Sequence, residues 1–197
     1  MTAVTNETEI KLRIGDLASA RQLIEAHAFC IAVPEVFERN LVLDHSSGTL
    51  RSSRQLLRLR QAGNLVTLTF KGVATSGKHK VREERETTVG SFSEMLVILE
   101  RLGLRETFVY EKYRTEFRAD TGGVITLDQT PIGNFLELEG EPDWIDATAH
   151  LLGFKEEDYL TSSYGSLYLE WCHSAGVTPG NMIFPGTGHR PTSPSTT

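Results

Sequence analysis

Near the N-terminus, Glu7, Glu9, Lys11 and Arg13 alternate with Ile10, Leu12 and Ile14. In an extended strand this spacing puts the ionic groups on one face and the apolar groups on the other. The same alternation recurs down the chain. Leu56–Arg60 carries Arg58 and Arg60, and Val66–Lys71 sets Thr67, Thr69 and Lys71 against Val66, Leu68 and Phe70. Arg82, Glu84 and Glu86 follow, then Lys112 and Arg114 with Glu116 after them, Asp128 opposite Ile125 and Leu127, and finally Glu137 and Glu139. Taken alone, any such pair is the wet face of an ordinary strand. As an ordered set, acids and bases occur in equal number, with few of the Ser, Thr or Gln residues that a merely solvated face would carry. If the strands close with these faces inward, the lumen is a field of opposed charges that needs compensation by ions or a ligand. A polyanion with divalent cations fits: Arg and Lys bind phosphate oxygens, and clustered carboxylates hold a hard cation that bridges to the same phosphates.

The elements that position these residues are strands plus a few helices. Asp16–Phe29, Ser91–Leu102, Pro142–Leu152 and Ser163–Trp171 show helical spacing of apolar residues; Asp16 is placed to cap the first, and Gly103 and Gly153 to end the second and third. Helices laid outside a barrel would bury Ile10, Leu12, Leu57, Leu59, Phe70, Leu136 and Leu138 and leave the interior free for charge. The segment from Gly72 to Lys80 reads as an exposed hairpin loop, with Lys78, His79 and Lys80 near a lumen mouth.

The order ExExK at Glu7–Lys11, RxR at Arg58–Arg60, Lys71, RxExE at Arg82–Glu86, KxR at Lys112–Arg114, an Asp128-bearing strand and a closing ExE at Glu137–Glu139 resembles the CYTH superfamily, also called triphosphate tunnel metalloenzymes. The resemblance covers roughly residues 5 to 173. It implies an α+β fold: an eight-stranded antiparallel closed β-barrel with helices packed outside, a tunnel for a triphosphate, and dependence on Mg2+ or Mn2+. Carried over residue by residue, it implies that Glu7, Glu9, Asp128, Glu137 and Glu139 hold metal, and that Glu84 and Glu86 hold a second metal or orient a basic neighbour. Lys11, Arg58, Arg60, Lys71, Arg82, Lys112 and Arg114 would grip the triphosphate, and Glu7, Glu9, Lys11 and Glu139 would form the catalytic group. The expected activity is hydrolysis of a nucleoside, thiamine or inorganic triphosphate. The alternatives are a class IV adenylyl cyclase making cyclic AMP and pyrophosphate from ATP, and a non-catalytic polyphosphate or nucleotide binder. No aromatic or amide motif demands a base pocket, which places the hydrolase first.

Composition sets outer bounds. The chain of 197 residues, 39% hydrophobic and 23% charged, is the size of one domain with a core. A formal charge of −6 argues against a nucleic-acid binder that works through a basic surface. Cys30 and Cys172 form no CxxC or Cys/His cluster and read as reduced and structural. With no basic and apolar leader and no long apolar run, the expectation is a cytoplasmic protein without membrane contact, a homodimer being left open. Residues 1–173 are expected to form the barrel domain and the Gly/Pro/Ser/Thr-rich residues 174–197 a flexible tail, whose Met182, Ile183 and Phe184 could dock transiently.

Overall fold

The computed structural model describes residues 5–75, 77–120 and 122–186. The elements in chain order are β1 (Thr5–Ile14), α1 (Leu17–Ala26), β2 (Cys30–His45), α2 (Thr49–Ser52), β3 (Leu56–Ala62), β4 (Leu65–Lys71) and β5 (Lys80–Thr88). They continue with α3 (Phe92–Arg101), β6 (Leu104–Arg118), β7 (Val124–Thr130), β8 (Gly133–Glu139), α4 (Pro142–Leu151) and α5 (Tyr164–Ala175). The strands close in the order β1-β5-β4-β3-β2-β6-β7-β8, every neighbouring pair antiparallel. The fold is therefore the closed eight-stranded antiparallel barrel with helices that the sequence implies.

Period-two alternation fixes which faces point where. Ile10, Leu12, Phe117, Ile125, Leu136 and Leu138 point outward and are almost fully buried beneath α1 and α4, which contribute Ile24, Ile145 and Ala149. A second outer patch, Leu41, Leu43, Leu59, Val66 and Val109, lies under Leu99 of α3. Leu57 and Phe70, expected to be buried, are only partly covered. The helices start where the sequence provides caps: the side chains of Asp16, Ser91 and Ser163 accept from the backbone N–H groups of Ser19, Glu94 and Ser166.

Helix α5 packs differently from the others. Its Tyr164, Leu167, Tyr168 and Cys172 meet Tyr110 and Phe135, which share the inward faces of β6 and β8 with the charged residues. It therefore covers an end of the lumen and not the outer wall, and it extends four residues beyond the expected end at Trp171, to Ala175.

The chain does not leave the barrel at residue 174. Gly176 ends α5 in the left-handed conformation (φ 66°), a backbone state open to glycine at no steric cost. The following segment then returns along β6, where the N–H of Met182 donates to the Val109 carbonyl (2.9 Å) and the Met182 carbonyl accepts from Glu111 (2.9 Å). Met182 is 1% exposed. This part of β6 has no β7 residue beside it, since that pairing starts at Tyr113, and the unpaired edge and a pocket for one thioether side chain outweigh the polar composition around it. Residues 187–197 of the expected tail lie outside the described residues.

Candidate functional site: a charged tunnel

The inward faces of seven of the eight strands, all but β7, line a cavity of about 1470 Å³. Glu7, Glu9, Lys11, Arg58, Arg60, Lys71, Arg82, Glu84, Glu86, Lys112, Arg114, Glu137 and Glu139, all singled out by spacing, reach its wall. Barrel closure brings the two ends of the motif series together. Glu9 stands directly opposite Glu139, and Lys11 opposite Glu137, across the β1–β8 seam.

On this side of the lumen the charges are tightly paired. Lys71 contacts Glu7 at 2.6 Å and Glu84 at 2.7 Å; Lys80 contacts Glu9 at 2.5 Å; Lys11 lies 3.2 Å from both Glu9 and Glu137. Arg114 pairs with Glu137 and grips both oxygens of Asp128, at 2.7 and 2.5 Å. The β2–β3 wall is looser: Arg58 lies 3.5 Å from Glu86 and 3.9 Å from Glu84, while Arg60 and Lys112 each lie 3.6 Å from Glu38.

Ionisation follows the balance of burial and pairing. Burial raises the carboxyl of Glu7 to about 8, helped by its hydrogen bond with Glu84 and by the charge of Glu9. Glu139 moves up for the same reasons, burial first and then the charges of Glu137 and Glu9, and no ion pair reaches it among the described residues. Burial also opposes the charge on Glu9, but Lys11 and Lys80 outweigh it and hold this carboxyl far below its ordinary range. Glu38 is likewise held down at about 2, its burial outweighed by Lys112, Arg114 and Arg60.

Two placements differ from the sequence reading. Asp128, expected among the metal-holding carboxylates, faces inward but is 0% exposed. Its oxygens contact Arg114, Lys112 at 2.9 Å and the Tyr164 hydroxyl at 2.6 Å, which puts it behind the bases. Lys80, read as part of a loop, is the first residue of β5 and an inward-facing base. Extending the Arg82–Glu84–Glu86 alternation one step back would have found it. Glu38, Asn40, Tyr110 and Tyr164 were also missed. The first two lie on β2, where Pro34 and register shifts between Ile31 and Val36 break the alternation.

Among the described residues, no three carboxylate, histidine or cysteine side chains meet as a metal-binding group, because lysines and arginines interleave the acids. The donors nonetheless suit a hard cation. Glu7, Glu9 and Glu139 offer oxygen ligands, and Glu7 and Glu139 are raised by burial first and by neighbouring carboxylates second, both of which a bound cation would offset. Mg2+ characteristically takes one or two carboxylates and completes its shell with phosphate oxygens and water, so a full protein cage is not required.

Fold and lumen together define a tunnel barrel whose interior is lined with charged residues of both signs. The chain belongs to the CYTH domain family, whose pattern matches residues 5–164. A protein of Methanocaldococcus jannaschii, provisionally named an adenylate cyclase, is 26% identical over 133 residues, which is 68% of this chain and 75% of that protein. A Vibrio parahaemolyticus structure, also provisionally named an adenylate cyclase, superposes with a TM-score of 0.74 at 18% identity, covering 84% of this chain and 98% of that one. A Hippeastrum structure reported with a dominant triphosphatase activity gives a TM-score of 0.62 at 20% identity over 88% of this chain and 97% of that one. At these identities the two structures establish the fold alone. Among the described residues, no helix is long and apolar enough to cross a membrane.

Proposed function

We propose that the tunnel binds the triphosphate group of a small molecule and, with Mg2+ or Mn2+, hydrolyses its terminal phosphoanhydride. The observation that carries this reading is the convergence of eight bases, Lys11, Arg58, Arg60, Lys71, Lys80, Arg82, Lys112 and Arg114, on one cavity that also holds the crowded carboxylates Glu7, Glu9 and Glu139. Phosphoryl transfer needs little covalent chemistry from the protein. It needs the phosphate oxygens held in place and their charge neutralised. Lysines and arginines from opposite walls supply both, and Asp128 keeps Lys112 and Arg114 aimed inward. Glu7, Glu9 and Glu139 would hold the cation, with Glu137 oriented by Lys11 and Arg114 behind them. The metal, when bound, supplies further charge neutralisation and a more acidic water. Glu84 and Glu86 serve in this reading to orient Lys71, Arg58 and Arg60.

One observation supports a second reading, cyclisation of ATP. Phe108 and Tyr168 stack at 5.7 Å on the cavity wall, a flat aromatic surface on which a nucleobase would stack while its ribose 3′ hydroxyl approached the α-phosphorus. The provisional name of the M. jannaschii relative agrees with this alternative.

Phosphorus NMR of reactions with ATP, tripolyphosphate and thiamine triphosphate, each with Mg2+ or Mn2+, separates the readings. Orthophosphate release, lost on chelation and restored by metal, is the expected result. Pyrophosphate with cyclic AMP would make the protein a cyclase. Absence of turnover with intact binding would make it a receptor.

A further inference from the structure

One wall of the tunnel holds buried polar atoms that have no hydrogen-bond partner among the described residues. Asn40 of β2 is 0% exposed, and among the described residues neither its Oδ1 nor its Nδ2 has a hydrogen-bond partner. Two neighbours share the condition: Oε2 of Glu38, on the same face of β2, and Nε of Arg58 on β3. A buried carboxamide without partners is costly, and a native fold rarely retains one without a use for it.

The position of Asn40 indicates the use. It lies directly across from Arg60 on β3 and from Tyr110 on β6, both of which line the cavity, while Asn40 itself lies behind them. Residues directly opposite in an antiparallel pair have Cβ atoms about 5 Å apart, and diagonal neighbours such as Arg58 are within reach of long side chains. Both arginines are loosely engaged. Arg60 holds Thr67 at 3.3 Å and Glu86 at 3.2 Å, and Arg58 holds Tyr110 at 3.3 Å and Thr69 at 3.2 Å. Glu86 is more than a third exposed, so this partner is easily exchanged for a stronger acceptor.

We infer that Asn40 is a positioning residue for the triphosphate-bound state: when phosphate oxygens draw Arg58 and Arg60 away from Glu86, Asn40 Oδ1 accepts the guanidinium N–H groups that turn toward β2 and fixes the pair against the ligand. The inference rests on the triphosphate reading above and adds a second arrangement of the β3 arginines, with its acceptor already buried in the wall. In the empty barrel that acceptor has no protein donor among the described residues. Removing it therefore lowers affinity without lowering the stability of the empty barrel.

The test is isothermal titration of the wild-type protein and the Asn40→Leu, Asn40→Ala and Asn40→Asp variants with tripolyphosphate, beside thermal unfolding of each without ligand. Leucine keeps the volume and removes both polar atoms; alanine serves if leucine does not fold; aspartate keeps an acceptor oxygen. The expected result for leucine or alanine is a melting temperature equal to or above wild type and binding roughly ten- to a hundredfold weaker, the worth of a charge-assisted hydrogen bond. Aspartate should bind more tightly than leucine. Unchanged affinity in the leucine or alanine variant overturns the inference, as does a lowered melting temperature in both, which would show that Asn40 is already bonded in the empty protein. Failure of wild-type protein to bind tripolyphosphate would instead sink the triphosphate reading itself.

Discussion

Glu9 and Glu139 face each other directly across the β1–β8 seam, two carboxylates from the first and last strands of the barrel, of which Glu9 is held ionised by Lys80 and Lys11 while Glu139 has no ion pair among the described residues. This asymmetry gives the two residues different mutational signatures. Glu139→Gln should cut turnover by about two to four orders of magnitude while leaving the metal-free protein as stable as wild type or more so, because it relieves repulsion. Glu9→Gln should cut turnover as deeply and also cost about 3–5 kcal/mol, since it leaves buried lysines short of a partner. Rates at saturating metal and denaturant melts of both variants check this; activity within a few-fold of wild type would remove either residue from the catalytic group.

Asp128 distinguishes a clasp from a ligand. Because its oxygens are occupied by Lys112, Arg114 and Tyr164, Asp128→Asn should destabilise the barrel and lower triphosphate affinity, yet leave Mn2+ affinity near that of wild type. A loss of Mn2+ binding comparable to that of Glu139→Gln, measured by titration on folded protein, would return Asp128 to the metal-holding set.

Counting lumen bases alone suggests that removing one relieves crowding. The pairing reverses that expectation for Arg58, which is 8% exposed and lies near Glu84, Glu86, Thr69 and Tyr110. Arg58→Ala should lower stability by roughly 1–3 kcal/mol and weaken ATP and tripolyphosphate binding to the same extent, since the guanidinium would read phosphate and not base. Calorimetry with a nonhydrolysable ATP analogue and with tripolyphosphate decides it. A loss confined to ATP would favour the cyclase.

The acid side of the stability profile should carry the imprint of Glu38. A carboxyl held at about 2 in the folded barrel and near 4.5 when unfolded contributes stability that is complete above pH 4.5 and is lost as pH falls toward 2. Urea unfolding of wild type and Glu38→Gln between pH 6 and pH 2.5, values chosen to bracket roughly that window, should show a stability gap that narrows with acidification. A gap that stays constant would mean that Glu38 acts through packing and not charge.

Met182 provides the test of the C-terminal return. Met182→Ala should cost roughly 2–5 kcal/mol, the usual range for emptying a buried site of this size. A substitution without effect on thermal unfolding would mean that the segment following α5 contributes no stability to the barrel.

What the sequence determined by itself was the division of faces. Alternation in β1, β3, β4, β5, β7 and β8 needs only the two-residue repeat of an extended chain, so charged-inward and apolar-outward sets were legible, as were helix starts at Asp16, Ser91 and Ser163. Strand β2 was not legible: Pro34, the register shifts and inward-facing Val42 blur its period, and Glu38 and Asn40 were missed with it. Which acid meets which base was decided only by closure of the barrel, because Glu9 finds Lys80 and Glu139 through register between strands far apart in the chain. Composition also misjudged residues 174–186, since a single buried methionine and an unpaired edge of β6 carry more weight than the polar average around them. Local periodicity records how a strand meets solvent and core; the burial that raises the Glu7 carboxyl and the pairing that gives Asp128 its partners exist only once the strands are side by side.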